Sequence, residues 1–207
     1  MTIFSALCLF AFTSFAAIAL AAPIRIETRG IHTTTPHRPI RRAGVFLRSF
    51  KGSELVPSAG EAVIYFYQYR ENSPVIVKGE IIGTGLAPNS QHGWHIHEFG
   101  DLFNGCASVG PHYNPEGQHH GAPWDHQKHA GDLGNLNIDM YGDLYIEPKV
   151  INDRVSLNGP NSIIGRALVI HLGADDLGKG GKPDSLTSGA SGERLACGII
   201  GVLPDYD

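Results

Sequence analysis

Charged side chains and cysteines are scarce in this sequence of 207 residues. Lysine, arginine, aspartate and glutamate together make up 17% of it and only three cysteines occur, whereas there are 26 glycines and 13 prolines. Little charge combined with many turn-forming residues favours an all-β protein with long loops over a helical one. Beyond residue 21, no stretch is apolar enough to span a bilayer, and the sequence has no Asn-x-Ser/Thr sequon.

The first 21 residues have the features of a secretory signal peptide. None of them is charged, residues 3–10 are mostly apolar, and Ala19-Leu20-Ala21 fits the small-x-small pattern of a cleavage site. The alternative is a short membrane anchor, but the charge that normally flanks a membrane span is missing. We therefore expect a secreted, extracellular protein.

The three cysteines agree with export. Cys8 lies in the predicted signal peptide, so Cys106 and Cys197 remain as a candidate pair in an oxidising compartment. If they are bonded, they close a loop of roughly ninety residues, to which the loop-entropy relation assigns about 4–5 kcal/mol.

Residues 22–43 differ from the rest of the chain. They hold five arginines against one glutamate and show no apolar periodicity, so we predict a basic, flexible extension. It could be a linker, a propeptide cut after Arg41-Arg42, or an anchor for anionic glycans or surfaces. Residues 44–207 form the predicted domain and carry 11 basic and 19 acidic residues, a net charge of −8. Nothing here favours nucleic acid as a partner, because the domain is acidic and the extension has no aromatic platform.

Eight short segments are predicted as strands, because each is rich in Val, Ile, Tyr or Phe and is bounded by Gly, Pro, Asn or Asp. They are Gly44–Phe50, Ala62–Tyr69, Val75–Ile82, Trp94–Phe99, Leu133–Ile138, Leu144–Val150, Ile163–Leu172 and Gly198–Leu203. Eight such strands indicate a sandwich or a closed barrel. Residues 100–131 and 173–194 interrupt the spacing as long Gly-rich loops, and long ordered loops in a compact domain are usually functional.

Nine of the eleven histidines lie between His92 and His171. On a strand alternate side chains share a face, so His95 and His97 point the same way and could present two imidazoles to one metal. His92 lies on the opposite face, and we interpret it as a hydrogen-bonded core residue. Two further histidines, His119 and His126, are assigned to solvent.

The histidines provide candidate ligands for two metal sites. His129 and Asp132 form a short chelating pair, and His112 and His120 complete a set of three nitrogens and one oxygen that suits a closed, structural zinc site. His171, together with His95, His97 and one more imidazole, gives an all-nitrogen set, and Cu²⁺ binds such sets most strongly among the divalent ions. A zinc hydrolase is a competing interpretation, since three histidines can hold a water-bearing zinc ion.

Six sequence stretches, taken together and in this order, resemble the copper/zinc superoxide dismutases, here of the secreted type. The stretches are 93–101 (GWHIHEFGD), 110–115 (GPHYNP), 129–135 (HAGDLGN), 164–171 (IGRALVIH), 174–181 (ADDLGKGG) and 192–198 (GERLACG). The resemblance covers residues 44–204 and implies an eight-stranded Greek-key β-barrel, an immunoglobulin-like sandwich with long metal-binding and electrostatic loops.

The resemblance also implies ligands for copper and zinc. Copper would be held by His95, His97, His112 and His171, and zinc by His112, His120, His129 and Asp132. His112 would then bridge both ions through its two ring nitrogens, which is chemically coherent because a deprotonated nitrogen needs a second cation. Asp175 would join the free ring N–H groups of His95 and His120 and so fix both rings.

Further roles follow from the same resemblance. Cys106 and Cys197 would form the disulfide, Arg194 would bind the superoxide anion through its fixed fork of donors, and His112 would supply a proton. Copper would be reduced by one superoxide, releasing O₂, and reoxidised by a second, yielding hydrogen peroxide. The alternative is a metal-binding or copper-transfer protein of the same fold without dismutase activity, although such proteins usually lose a ligand or the arginine.

The resemblance suggests a homodimer formed by apolar barrel faces. The sequence also departs from better-known members in two places. Gly173 and Thr187 stand where many members carry lysine, which predicts weaker electrostatic steering of the substrate. Residues 150–160 are longer than in those members and are predicted as an enlarged surface turn.

Overall fold

The computed structural model describes residues 39–51, 54–56, 61–151 and 153–205. The predicted signal peptide and residues 22–38 of the predicted extension lie outside these described residues. The described residues form twelve strands, one 3₁₀ turn and one helical turn. In chain order these are β1 Arg42–Phe46, β2 Ser49–Lys51, β3 Glu54–Val56, β4 Glu61–Tyr67, β5 Ile76–Ile82, β6 Gln91–His97, β7 Phe103–Cys106, a 3₁₀ turn Ala107–Val109, β8 Asp132–Asn137, β9 Leu144–Val150, β10 Ala167–His171, a helical turn α1 Ser185–Ser188, β11 Arg194–Ile199 and β12 Gly201–Val202.

Two antiparallel sheets face each other. One has the order β12-β1-β4-β5-β9 and the other the order β11-β10-β6-β8, while β2 and β3 form a separate hairpin. Strand β9 returns to pair with β5 after β6 and β8 have joined the other sheet, a Greek-key connection. The predicted all-β Greek-key barrel is confirmed. β11 continues into β12, which pairs with β1, so this segment connects the two sheets along one side.

The predicted strands are present with shifted bounds. β1 begins at Arg42, two residues before the predicted domain start at Gly44, and the Leu203 N–H donates to the Arg42 carbonyl. β11 begins at Arg194 rather than at Gly198, because the backbone from Arg194 onward already pairs with β10. A short strand, Phe103–Cys106, lies inside the stretch predicted as loop. Among the described residues, no helix is long and apolar enough to cross a membrane.

Strand β6 separates the hydrophobic core from the histidine cluster. Trp94 and Ile96 are fully buried in the core between the sheets. His95 and His97 alternate with them and are equally buried, under the two long loops on the outer face of the second sheet. In β10, Leu168 likewise packs into the main core. The predicted alternation along β6 is therefore confirmed, with both faces of the strand covered.

Candidate metal centre

Strands β6 and β10 place three histidines on one face. Val169 pairs with His95 and Ala167 pairs with His97 in the antiparallel register. Directly opposed residues share a face, and so do residues two positions apart. His171, two residues beyond Val169, therefore lies on the same outer face as His95 and His97.

The loop of residues 112–132, called the metal loop below, is fastened to β6 at both ends. The Tyr113 N–H donates to the Ile96 carbonyl (2.8 Å), and the Ile96 N–H donates to the Gly131 carbonyl (2.9 Å). His112 also forms a β-bridge with His97. A Cβ atom at Gly131 would lie 2.2 Å from the Ile96 oxygen, so this approach requires glycine. Both ends of the loop are thereby brought to the histidine face of β6.

Three of the imidazoles use one ring nitrogen as a hydrogen-bond donor. His97 Nδ1 donates to the Gly110 carbonyl (2.8 Å), His171 Nδ1 to the Gly192 carbonyl (3.0 Å), and His95 Nε2 to Asp175 Oδ2 (2.9 Å). A neutral imidazole has a single N–H, so the other nitrogen of each ring carries a lone pair. These tautomers follow from the acceptors that the donor nitrogens meet.

The remaining nitrogens converge on one another, and two of them have no hydrogen-bond partner. Nε2 of His97 lies 3.4 Å from Nε2 of His171. His95 Nδ1 and His112 Nε2 are buried and make no hydrogen bond. Buried polar atoms in native proteins are nearly always satisfied, so a group of converging lone pairs indicates the place of a cation.

A second group surrounds Asp132. Its Oδ1 lies 3.0 Å from His112 Nδ1, 2.9 Å from His120 Nδ1 and 3.2 Å from His129 Nδ1. Its Oδ2 accepts hydrogen bonds from the backbone N–H groups of Gly121 (3.1 Å) and His129 (2.7 Å). His120 Nδ1 is buried and makes no hydrogen bond. Three nitrogens and one carboxylate oxygen thus meet at one point.

His112 belongs to both groups. Ligand atoms of four buried residues lie within 4.8 Å of one another in each of two sets: His95, His97, His112 and His171, and His95, His112, His120 and Asp132. His129 adjoins the second set, since its Nδ1 lies 3.4 Å from His112 Nδ1. Ligand nitrogens at about 2.0–2.1 Å from one tetrahedral ion are roughly 3.4 Å apart. Both groups therefore fit a metal ion. The two sets share His95 and His112, and of these two it is His112 whose ring nitrogen lies 3.0 Å from Asp132 Oδ1.

Burial keeps the first group of imidazoles neutral. It lowers the pKa of His95 and of His171 to about 4, and it lowers the pKa of His112 to about 3 with help from the neighbouring imidazoles. The pKa of His97 is also well below its usual value because of burial and the proximity of His112. Neutral imidazoles are ready to bind metal without first losing a proton.

The second group carries the charge. Burial disfavours the ionised form of Asp132, but its close contacts with His112, His120 and His129 outweigh this and hold its pKa far below the usual range. Burial also disfavours the charged form of His120, yet contacts with Asp132 and Asp175 outweigh it and raise the pKa of His120 to about 9. The two carboxylates therefore favour positive charge at the position of His120.

Asp175 links the two groups, as the resemblance implied. Its Oδ2 accepts from His95 Nε2 (2.9 Å) and its Oδ1 from His120 Nε2 (2.8 Å). Sequence reasoning missed Asn135, which holds the Asp175 backbone by two hydrogen bonds of 2.7 and 2.8 Å. It also missed Gly189, where a Cβ atom would lie 2.0 Å from Asp175 Oδ1. Because this loop contains many glycines, the sequence did not single out Gly189, whose φ is 64°.

Arg194 is anchored beside the first group by the disulfide segment. Its Nη1 donates to the carbonyls of Cys106 (2.6 Å) and Ala107 (3.1 Å), and its Nη2 donates to the Gly110 carbonyl (2.5 Å). Cys106 is bonded to Cys197, with 5.7 Å between their Cα atoms. The charge of Arg194 further lowers the pKa of His97. The structure therefore contains the disulfide and places the guanidinium close to the histidines.

The remaining candidates lie where they were expected. His92 is buried, and its Nδ1 lies 2.9 Å from the His171 carbonyl oxygen. His119 and His126 are exposed. Lys179 forms an ion pair with Asp125 (3.0 Å), which ties up one of the two lysines of the second loop.

The family described as copper/zinc superoxide dismutase (SODC) matches residues 61–200. A Cu-Zn superoxide dismutase of Cryptococcus neoformans var. grubii is 49% identical over 148 residues, which are 69% of this chain and 93% of that protein. That of Candida glabrata is 49% identical over 147 residues, covering 70% of this chain and 92% of that protein.

A solved structure agrees with the sequence comparison. The crystal structure of the clock protein EA4 superposes with a TM-score of 0.70 at 40% identity, covering 80% of this chain and 97% of that one. The histidine groups, the family match and the relatives lead to one assignment. The chain belongs to the copper/zinc superoxide dismutase family and is an oxidoreductase that acts on superoxide with copper and zinc as cofactors.

Proposed function

We propose that superoxide dismutation in this chain depends on the following metal ligands. Copper is held by His95, His97, His112 and His171, and zinc is held by His112, His120, His129 and Asp132. The observation that carries this assignment is the double membership of His112. Its Nδ1 lies 3.0 Å from Asp132 Oδ1, while its Nε2 is buried among the other imidazoles without a hydrogen-bond partner.

When bound, copper supplies the one-electron chemistry: one superoxide is oxidised to O₂, and a second is reduced and takes up two protons to give hydrogen peroxide. The chain's own residues bind the anion and handle the protons. Arg194 offers a charged donor fork to superoxide, held by carbonyls of residues 106–110. His112 Nε2, which is buried without a hydrogen-bond partner, can hold one of the two protons and release it to the product.

Variants with one ligand removed test this assignment. His171→Ala removes a ligand of copper alone and is expected to abolish dismutase activity while zinc is retained. His129→Ala removes a ligand of zinc alone and is expected to lower the zinc content while copper stays bound. His126→Ala, at an exposed histidine, serves as the control. Metal contents are measured together with activity. Loss of zinc from His171→Ala or of copper from His129→Ala would contradict the assignment, and so would a variant that lost neither metal.

The competing functions are separated by the same measurements. A copper-transfer protein would bind copper without turning over superoxide, and a zinc hydrolase would not need copper at all. Two buried groups of candidate ligands occur among the described residues, and backbone carbonyls hold Arg194. This supports the dismutase.

Secretion is part of the proposal. It is supported by the apolar first 21 residues and by the disulfide between Cys106 and Cys197, since disulfides persist in oxidising compartments. Expression of the full chain in a fungal or other eukaryotic host should deliver active enzyme to the medium with its amino terminus after Ala21.

The basic segment 22–43 is proposed to contact anionic glycans. Heparin retention that is lost on deletion of residues 22–38, which leaves β1 intact, would support this.

We propose a homodimer as the assembled form. An apolar face at the second sheet exposes Phe99 (50%), Phe103 (97%) and Ile199 (42%). A contiguous apolar patch of this kind marks an interface, and a two-fold pair buries one such patch against its copy. Sedimentation should give twice the chain mass, and Phe99→Glu should give monomers. Monomers at all concentrations in the unsubstituted protein would contradict the proposal.

A further inference from the structure

The turn between β9 and β10, residues 150–160, holds the metal loop from outside. Asp153 in this turn is a surface residue whose side chain is 83% exposed. Arg154, which follows it, is directed inward, and only 16% of its side chain is exposed. The turn of residues 150–160, predicted from the sequence as an enlarged surface turn, therefore directs the charged side chain of Arg154 into the protein.

Arg154 contacts two parts of the metal loop. Its Nη1 donates to the Lys128 carbonyl (2.9 Å) and its Nη2 to the His126 carbonyl (2.6 Å). Nη1 also lies 3.0 Å from Glu116 Oε2. The donors of a guanidinium have fixed directions, so these contacts fix the loop on both sides of His120 relative to one another.

Lys128 is held by both residues of the turn. Its carbonyl accepts from Arg154, and its Nζ lies 3.2 Å from Asp153 Oδ1 and donates to the Asp125 carbonyl (3.1 Å). Its side chain is only 6% exposed. The next residue is His129, whose Nδ1 lies 3.2 Å from Asp132 Oδ1. The contacts that Asp153 and Arg154 make with Lys128 therefore lie one residue away from His129, a proposed zinc ligand.

The metal loop has little regular structure to hold it. Among the described residues, 114–131 contain no strand or helix. Their carbonyls consequently lack the partners that a ladder would provide, and each buried carbonyl needs another donor. Arg154 supplies such a donor at the part-buried carbonyl of Lys128, and it also donates to the exposed carbonyl of His126. Gly121 lies close to the backbone of Gln127, since a Cβ atom there would lie 2.1 Å from the Gln127 oxygen, so the two ends of this segment approach each other closely.

We infer that Arg154 and Asp153 are positioning residues for zinc: they hold the segment between His120 and His129 in place and so slow the release of the ion. The inference rests on the zinc ligand set proposed above. Release requires His129 to move away from Asp132, and that movement must displace the Lys128 carbonyl from Arg154. Partners of metal ligands typically change affinity by about 10–100-fold when they are removed.

The test uses the full chain loaded with both metals. Zinc transfer to a chromophoric chelator is measured for Arg154→Gln and Asp153→Asn well below the unfolding temperature. Arg154→Gln is expected to release zinc about tenfold faster. Asp153→Asn should have a smaller effect, because an ion pair with an exposed partner contributes little. Arg70→Gln, at an exposed arginine whose backbone N–H donates to Ser73 Oγ, is the matched control and should release zinc at the unsubstituted rate.

Two further readouts separate positioning from general stability. Hydrogen exchange in Arg154→Gln should accelerate at amides 120–130 and stay unchanged in β4–β6, and copper should be retained, because His95, His97 and His171 lie on strands. A lower unfolding temperature without faster zinc release at lower temperature would overturn the inference, as would a release rate equal to that of Arg70→Gln.

Should Arg154→Gln fail to fold, Arg154→Lys decides the matter, since it keeps the charge and loses the fork; release at the unsubstituted rate would again overturn the inference. Failure of the underlying ligand set looks different. In that case His129→Ala would leave the zinc content of the otherwise unsubstituted chain unchanged.

Discussion

Arg194 and His97 donate hydrogen bonds to the same acceptor, the carbonyl oxygen of Gly110. Arg194 Nη2 lies 2.5 Å and His97 Nδ1 lies 2.8 Å from that atom. A residue proposed to bind the substrate and a residue proposed to bind copper are therefore held by one backbone oxygen. A shift of Gly110 would move both together.

Replacing the arginine should lower the rate and leave the metals in place. Arg194→Gln removes the charge, and the loss of local steering and binding is expected to reduce kcat/KM by about tenfold or more. Arg194→Lys should recover only part of this, because an ammonium lacks the fork. Stopped-flow or pulse-radiolysis rates at equal copper content check this. A rate equal to that of the unsubstituted enzyme would contradict the role of Arg194.

Loss of the disulfide should affect both stability and rate. The bond joins residues 91 apart, and the Cys106 carbonyl holds Arg194. The double variant Cys106→Ser/Cys197→Ser is expected to lose about 4–5 kcal/mol of unfolding free energy and also activity at temperatures where it stays folded. Denaturant unfolding and rate measurements on the folded fraction are the two assays. Full activity in the folded variant would show that Arg194 does not depend on this segment.

The rate should depend weakly on salt. Lys179 is paired with Asp125, and Thr187 lines the cavity that contains His112 where many relatives have lysine. Raising the ionic strength from 0.01 to 0.15 M shortens the screening length from about 30 to about 8 Å, which suppresses steering. We expect a shallower fall in rate than in lysine-rich relatives.

Thr187→Lys should steepen this salt dependence, whereas Tyr145→Lys, on the exposed surface of β9 in the other sheet, adds the same charge and should not. An equal or steeper slope in the unsubstituted enzyme would refute the prediction.

Asp175→Asn should loosen the zinc site. The carboxylate accepts from His95 Nε2 and His120 Nε2, and an amide can accept from only one of them through its oxygen. Zinc affinity is expected to fall by about 10–100-fold. Competition with a chelator measures this, with the exposed Asp184→Asn as control. Equal affinities in the two variants would mean that Asp175 does not orient the rings.

The metal-free protein should be most stable near neutral pH. Burial holds the pKa of His95 and His171 at about 4, below the ordinary 6.5. The unfolded chain then binds more protons, so this contribution is complete above pH 6.5 and is lost as the pH falls towards 4. His120, with a pKa raised to about 9, has the opposite sign. Its contribution is complete below pH 6.5 and is lost as the pH rises towards 9. Urea unfolding of chelator-treated protein should show this maximum, and stability that rises steadily below pH 6 would contradict it.

Short-range patterns in the sequence predicted much of the site. Alternation alone placed His95 and His97 on one face and Trp94 in the core, since side-chain direction on a strand depends only on residue parity. Residue chemistry then suggested a set of three nitrogens and one oxygen around Asp132, and the structure brings these atoms together. The double role of His112 and the position of Asp175 came from the family resemblance.

The remaining features depend on contacts between distant residues or on backbone atoms. Nothing in the sequence near Gly110 indicates that its carbonyl accepts from Arg194, 84 residues away. In the sequence Arg154 has no feature that distinguishes it from an ordinary turn residue. Its contact with the carbonyl of Lys128, 26 residues earlier in the chain, arises only from the fold. The start of β11 at Arg194 was missed because pairing with β10, rather than an apolar run, makes this segment a strand.

The shared ring of His112 is the central claim, and anomalous diffraction from crystals of the loaded enzyme tests it most directly. Data collected at the copper and zinc absorption edges should locate two different ions, with copper at Nε2 and zinc at Nδ1 of His112. A single ion, or two ions that do not both contact this ring, would contradict the account.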